Sequence, residues 1–171
     1  MTFALHRRMN GANSALFGAD FSHAMLVRAA EKSGSRDIRW IEADALNMPF
    51  AADKFQLVTA AFGFRNLANY DRGLVEIYRV LAPGGEVGIL DFGEPKGLLG
   101  KLYRVYFRRV LPAIGTLISG VRGPYAYLPA SVARFPEPEE MLARMRQAGF
   151  ERAEYTSYTF GIAGLYRAVK R

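Results

Sequence analysis

Short apolar runs along the chain alternate with stretches in which apolar residues recur every three or four positions. The run Ala15-Leu16-Phe17-Gly18-Ala19-Asp20 predicts a short buried strand that ends in a carboxylate. Ile38 to Ala43 predicts a second, followed by Asp44, and Phe55 to Ala61 and Glu86 to Asp91 predict a third and fourth. Thr2 to Met9 reads as the end of a helix that stops near Asn10-Gly11. Ala24 to Lys32 predicts a helix with Met25, Leu26 and Ala29 on one face and Ser22 as its N-cap. A further helix is predicted over Asp71 to Ala82, with Leu74, Val75, Tyr78 and Leu81 at helical spacing and Pro83-Gly84-Gly85 stopping it. Gly97 to Ser119 is a long amphipathic stretch interrupted at Pro112. Gly123 to Pro138, rich in Pro, Tyr and Gly, reads as a loop over the site. Pro138 to Ala148 predicts a last helix closed by Gly149, and Arg152 to Tyr158 with Gly161 to Val169 an antiparallel pair at the sheet edge.

This alternation places the chain in the α/β class. It implies a doubly wound, mostly parallel sheet with antiparallel C-terminal edge strands and its ligand at the carboxyl ends of the strands. Such a fold needs a Gly-rich turn after its first strand to admit a nucleotide-type ligand, and no such turn precedes Ala15. The pattern therefore predicts that the first strand and its loop are missing. In this architecture that strand lies centrally, between the strands ending at Asp20 and Ala61. Neighbouring strands sit about 4.8 Å apart, so its loss leaves two edges without partners. The expectation is a chain of low stability, or one that closes the gap by rearrangement or by pairing with a second copy. In the absence of repeats, low-complexity tracts or linkers, residues 1–171 read as one domain.

Composition changes this picture little. A chain of 171 residues, half of them apolar, supports a real core and argues against disorder. The absence of cysteine excludes disulfides and thiolate metal sites and fits a reducing compartment. The net charge of +7 favours anionic surfaces or substrates. Its basic residues cluster around Lys101 to Arg109 without a recognisable nucleic-acid module, so no nucleic-acid partner is expected. The longest apolar stretch, Val110 to Val121, is shorter than the roughly 20 residues a spanning helix needs. The start, with His6, Arg7 and Arg8, lacks a secretory pattern. A cytoplasmic protein is the expectation.

Four places carry chemistry. Asp20, at the end of a strand, can accept both ribose hydroxyls of a nucleoside in charge-assisted hydrogen bonds; the alternative is a cap for the following helix, for which Ser22 is better placed. Asp44 can take an adenine amine while nearby backbone N–H groups address ring nitrogens and Leu46 and Met48 cover the ring face; alone, it would read as a turn residue. Phe62-Gly63-Phe64-Arg65-Asn66 follows the third strand. Gly63 allows close backbone approach, and Arg65, which stays charged, can hold an anion or orient a proton-accepting water; the alternative is a surface arginine paired with a carboxylate. Asp91 ends the fourth strand at the same edge, either as a polar lining group or as a structural carboxylate. His6 and His23 lack metal-ligand spacing and read as surface residues, so no metal is expected.

These motifs form a series. Gly18-Ala19-Asp20-Phe21-Ser22, Glu42-Ala43-Asp44-Ala45 with Pro49-Phe50, and Phe62-Gly63-Phe64-Arg65-Asn66 are followed by Arg79 to Gly85 and by Tyr127-Leu128-Pro129-Ala130-Ser131-Val132. Together they closely resemble the ubiquinone/menaquinone biosynthesis C-methyltransferase family, from about Thr2 to the C-terminus. The strand–Asp and Pro-Gly-Gly elements are general to S-adenosylmethionine-dependent methyltransferases, whereas the Phe-Gly-Phe-Arg-Asn and Tyr-Leu-Pro-Ala-Ser-Val runs are specific to the family. The resemblance implies S-adenosylmethionine as cofactor, with Asp20 on the ribose and Asp44 and Ala45 at the adenine. Ala61 matches a position where family members offer Ser, so any contact there is through backbone. The implied reaction moves the sulfonium methyl to a ring carbon of a prenylated quinol. Arg65 and Asn66 are the catalytic candidates, and Asp91, Tyr125 and Tyr127 the candidates to line the substrate.

A prenylated quinol is lipid-soluble. Leu98, Leu99, Leu102, Val105, Tyr106 and Val110, with Lys101, Arg104, Arg108 and Arg109 nearby, can graze an anionic membrane, although packing on the protein's own sheet with a solvated basic edge is the favoured reading. Peripheral membrane contact and a homo-oligomer are therefore both expected partnerships. The competing readings are a cofactor-incompetent remnant with an interaction role, a methyltransferase for another small molecule and, more weakly, an NAD-dependent dehydrogenase.

Overall fold

A computed structural model describes residues 1–9, 15–93, 95 and 127–171, with backbone alone for 127–130. The stretch from Gly97 to Ser119, Tyr125 and the side chain of Tyr127 lie outside that description. The chain divides into two compact units, Met1–Ala51 and Ala52–Arg171.

The first unit holds α1 (Thr2–Arg8), β1 (Leu16–Asp20), α2 (His23–Ser33) and β2 (Ile38–Glu42). β1 and β2 pair in parallel, in register from Leu16 opposite Ile38 to Asp20 opposite Glu42. Phe17, Ile38, Trp40 and Ile41 have the β-branched or aromatic character that strands favour. Trp40 organises the unit. Its ring meets Phe3 edge-on at 6.4 Å, and its indole N–H donates to Ser33 Oγ at 2.9 Å. A Cβ at Gly18 would collide with that ring, so packing demands a glycine in the middle of β1.

The second unit is a four-stranded sheet in the order β3 (Phe55–Ala61), β4 (Leu81–Phe92), β6 (Ala163–Lys170), β5 (Phe150–Tyr158). β3 and β4 are parallel, β6 is antiparallel to both of its neighbours, and β5 forms the edge. Between β3 and β4 runs α3 (Tyr70–Val80), whose N-cap Asn69 accepts the Arg72 N–H at 2.9 Å. α3 ends before the sequence predicts. Leu81 is already extended, and Leu81 and Ala82 are buried as the first residues of β4. Pro83-Gly84-Gly85 makes a bulge within that strand, not a stop before it, as Leu81 faces Phe55 and Glu86 faces Leu57. A Cβ at Gly85 would lie 2.8 Å from Ala82 O and 2.9 Å from Phe55 O, which the backbone cannot yield.

A second correction concerns residues 123–138. Tyr127–Arg134 is a helix, α4, where a loop is expected from the Pro and Tyr content. Pro129 stands in its first turn, where the N–H groups have no helical acceptor and proline does no harm. Ser131 and Val132 are buried, so burial of that face outweighs composition. α5 (Pro138–Gln147) follows and packs on β5 and α3.

The core of this unit joins Leu74, Ile77 and Val80 of α3 and Met141, Leu142 and Met145 of α5 with Val87 and Ile89 of β4 and Tyr166 of β6. Lys170 ties its ends together, donating to Asp53 Oδ1 at 2.7 Å and to Tyr78 O at 2.8 Å. Parallel pairing of β1 with β2 and of β3 with β4, with antiparallel pairing confined to the C-terminal strands, is the α/β arrangement that the periodicity predicts, here divided between two sheets. Among the described residues no helix is long and apolar enough to cross a membrane.

Candidate active site

In the first unit the carboxyl ends of the strands carry two carboxylates held by the same local device. Asp20 Oδ1 accepts the Ser22 N–H at 2.8 Å, and Asp44 Oδ1 accepts the Leu46 N–H at 2.8 Å. Each bond spans two residues and sets the orientation of the carboxylate. Both side chains are exposed, and the second oxygen of each accepts no hydrogen bond among the described residues. Ser22 precedes α2 as its cap residue, yet its hydroxyl makes no capping bond. The turn after Asp20 is thus held by the aspartate, where Ser22 is expected to do that work. Ala45 is half-buried beside Asp44, and the Asn47 N–H closes the turn onto Asp44 O at 3.0 Å. His23 pairs with Glu42 at 2.9 Å on the surface.

In the second unit the end of β3 turns sharply. Ala61 is half-buried, and the following Phe62 N–H is committed to Leu90 O at 2.8 Å. Phe62, not Gly63, takes the left-handed backbone, with φ 56°. Gly63 has an ordinary φ of −127°, and a Cβ there would meet nothing closer than Ala61 O at 3.9 Å. Among the described residues neither backbone nor packing requires a glycine at 63, and the space beside it is open.

A short 3₁₀ turn, Phe64–Asn66, then buries Arg65 against Asp91. Asp91 is 1 % exposed; its Oδ1 accepts from Arg65 Nη1 at 2.7 Å and from the Phe92 N–H at 2.9 Å, and its Oδ2 accepts the Arg65 N–H at 2.9 Å. Arg65 Nη1 also donates to Phe62 O, and its guanidinium lies over the Phe92 ring at 5.1 Å. Arg65 Nε is buried without a hydrogen-bond partner among the described residues. The geometry is that of a buried ion pair fixing the turn after β3 to the end of β4. A surface arginine does not describe it, and neither does a carboxylate open to substrate. Asn66, in contrast, is exposed.

Around this pair runs a chain of rings: Phe64 stacks on Tyr70 at 6.0 Å, and Tyr70 meets Phe135 edge-on at 5.7 Å. Tyr70 Oη donates to Arg65 O at 3.1 Å, and burial pushes its phenol above the ordinary range. α4 packs against the Phe64–Asn66 turn. The two most distinctive runs of the sequence are thereby neighbours, though 60 residues separate them in the chain. Sequence reasoning treated Arg65 and Asp91 as separate candidates and passed over Tyr70. The signal for the pair is faint: opposite charges ending two adjacent parallel strands.

The fold is that of S-adenosylmethionine-dependent methyltransferases. The chain matches such an enzyme from Aquifex aeolicus with a TM-score of 0.67 at 17% identity, over 96% of this chain and 73% of that one. Another from Thermotoga maritima matches with a TM-score of 0.66 at 21% identity, over 90% and 72%. The model of the ubiE/COQ5 methyltransferase family matches residues 1–170, and the chain belongs to that family. Demethylmenaquinone methyltransferase of Deinococcus radiodurans is 46% identical over 99% of this chain and 71% of its own length. The Thermus thermophilus protein of the same name is 49% identical over 97% of this chain and 76% of its own length. The ubiquinone/menaquinone biosynthesis C-methyltransferase of Rhizobium etli is 42% identical, over 84% of this chain and 56% of that protein. The family is one of methyltransferases, with S-adenosylmethionine as methyl donor.

Proposed function

We propose that the protein transfers a methyl group from S-adenosylmethionine to a ring carbon of a prenylated quinol, demethylmenaquinol in preference to the ubiquinone-pathway benzoquinol. The observation that carries this reading is the almost complete coverage of the chain by two relatives named demethylmenaquinone methyltransferase. We take both units as parts of one methyltransferase domain, since the family match runs across them. The site residues fit the donor: Asp20 and Asp44 each offer an exposed, oriented carboxylate with one oxygen unused among the described residues, which suits hydroxyl and amine donors.

Bound S-adenosylmethionine supplies a methyl group already activated by its sulfonium. Asp20 would accept the ribose hydroxyls, and Asp44 and the backbone of Ala45 would address the adenine. Ala61 would contribute backbone only, and the open space at Gly63 admits close approach of a ligand. The protein must also hold the quinol carbon in line, about 3 Å from the methyl, and favour the phenolate. Because Asp91 compensates the charge of Arg65, the part left to Arg65 is to set the turn and polarise what lies beside it. Asn66, exposed on the same turn, would then touch the quinol or a proton-accepting water directly. The packing of α4 over that turn supports a lining role for Tyr127, with Tyr125 two residues before it. A lipid-soluble substrate fits a cytoplasmic protein that works at the inner face of the membrane.

Incubation with methyl-labelled S-adenosylmethionine and demethylmenaquinol should label the quinol ring; a quinol fraction without label refutes the reading. In calorimetric titration with S-adenosylhomocysteine, Asp20→Asn should weaken binding about tenfold or more.

A further inference from the structure

Among the described residues four aromatic side chains are exposed: Phe21, Phe62, Tyr158 and Phe160. Each lies at the carboxyl end of a strand. Phe21 follows β1, Phe62 follows β3, and Tyr158 and Phe160 close β5. β5 and β4 are both antiparallel to β6, so β5 runs in the direction of β3 and β4 and ends at the same edge of the four-stranded sheet.

The connection from β5 to β6 is fastened to that edge. Ala163 pairs with Phe92, the Gly93 N–H donates to Ile162 O at 3.0 Å, and a Cβ at Gly93 would come within 2.8 Å of Gly161 O. The Phe92 ring lies 4.5 Å from that of Phe62 and beneath the Arg65 guanidinium. The connection bearing Phe160 and the turn bearing Arg65 are therefore both anchored at Phe92.

The backbone at this tip is strained. Thr159 has φ 50°, Phe160 φ 56° and ψ 27°, and Gly161 φ 93°. Left-handed backbone is uncommon for any residue with a side chain and a genuine outlier for a β-branched threonine. Such strain concentrates at ligand-contacting segments. Here it aims a phenylalanine into solvent: Phe160 is 81 % exposed, with Tyr158 at 47 % and Phe62 at 40 %. Nothing inside the described residues offsets that unfavourable placement of apolar surface, so an external apolar group is its natural counterpart.

We propose that Phe160, with Tyr158 and Phe62 at the same edge of the sheet, is the contact for the isoprenoid chain of the substrate and sets the preference for prenylated over tail-free rings. This inference rests on the quinol reading above. It predicts that affinity depends on Phe160 only when the ring carries a tail.

The test is calorimetric titration of the full chain with two probes: 1,4-naphthoquinol, and the same unmethylated ring bearing a geranyl chain. The unaltered chain should bind the prenylated probe about tenfold more tightly, the worth of covering most of a phenylalanine ring. Phe160→Ala should remove most of that preference and leave affinity for the tail-free ring unchanged, while Phe160→Leu should retain it. Circular dichroism checks that the fold survives, as it should for so exposed a side chain. A preference that survives Phe160→Ala, or an equal loss for both probes, overturns the inference and leaves the quinol reading standing. Failure of the unaltered chain to bind either probe overturns both.

Discussion

Strands β1 and β4 are built on one plan, an apolar run ending in an aspartate, and they put that aspartate to opposite uses. Asp20 is exposed, with one oxygen bound to a local N–H and the other unused among the described residues. Asp91 is buried, and both its oxygens are taken by Arg65 and Phe92. The surroundings make the difference. β4 has a hydrogen-bonded strand on each side, and the turn after β3 brings a guanidinium onto its last carboxylate. β1 pairs with β2 alone in its sheet, and the buried apolar side chains described in its unit are Leu26 and Ile38. A carboxylate at a strand end thus stays open to solvent only where no cation of the protein reaches it.

The sharpest way to break the comparison is to remove each carboxylate. Asp91→Ala leaves Arg65 buried and unpaired, and urea unfolding should show a loss of about 3–5 kcal/mol. Asp20→Ala should change stability by about 0.5 kcal/mol or less, as befits a surface position. The double variant Arg65→Met, Asp91→Leu should recover most of the larger loss, because it removes the unpaired charge along with its partner. If Asp91→Ala unfolds no more easily than Asp20→Ala, the two aspartates do not differ as described.

Gly18→Ala addresses the first unit alone. The new methyl group must displace the Trp40 ring, at a cost of about 1–3 kcal/mol. Since Trp40 is the single tryptophan, a red shift and loss of its emission would report that displacement; an unchanged spectrum would mean the ring does not rest on Gly18.

A further expected effect is alkaline. Burial, with the nearby Tyr155, Glu137 and Asp91 adding to it, raises the Tyr166 phenol well above its ordinary value. Below about pH 10 both folded and unfolded chains keep the proton, and Tyr166 adds no pH dependence. Above that, the unfolded chain releases its proton while the folded chain holds it, so stability falls as pH rises. Between pH 9 and pH 11 the extra loss relative to Tyr166→Phe should be about 1 kcal/mol. Parallel pH profiles for the two proteins would show that the phenol titrates normally in the fold.

Much of the frame is legible in the chain because period-two and period-3.6 patterns survive wherever one face is buried. β1, β2, β3, α2 and the β5–β6 pair fall where the periodicity puts them. The misses have physical causes. Leu81 and Ala82 continue the helical spacing of α3 but gain more by burial in β4, and their pattern suits both. Tyr127 to Arg134 reads as a loop by composition and is helical because Ser131 and Val132 have a surface to pack on. Of the candidate site, Asp20 and Asp44 are readable as strand-end carboxylates, yet the N–H bonds that orient them are visible only in the turns.

By itself the sequence determined the α/β class, the order of the strands' chemistry and membership of a methyltransferase family, since these follow from local periodicity and contiguous motifs. The tertiary structure decided what each charged group does. Arg65 and Asp91 lie 26 positions apart, and each could serve a ligand until the parallel pairing of β3 and β4 sets them 2.7 Å from one another. Whether a charge meets water, a ligand or an opposite charge depends on what is folded next to it, and no local pattern records that distance.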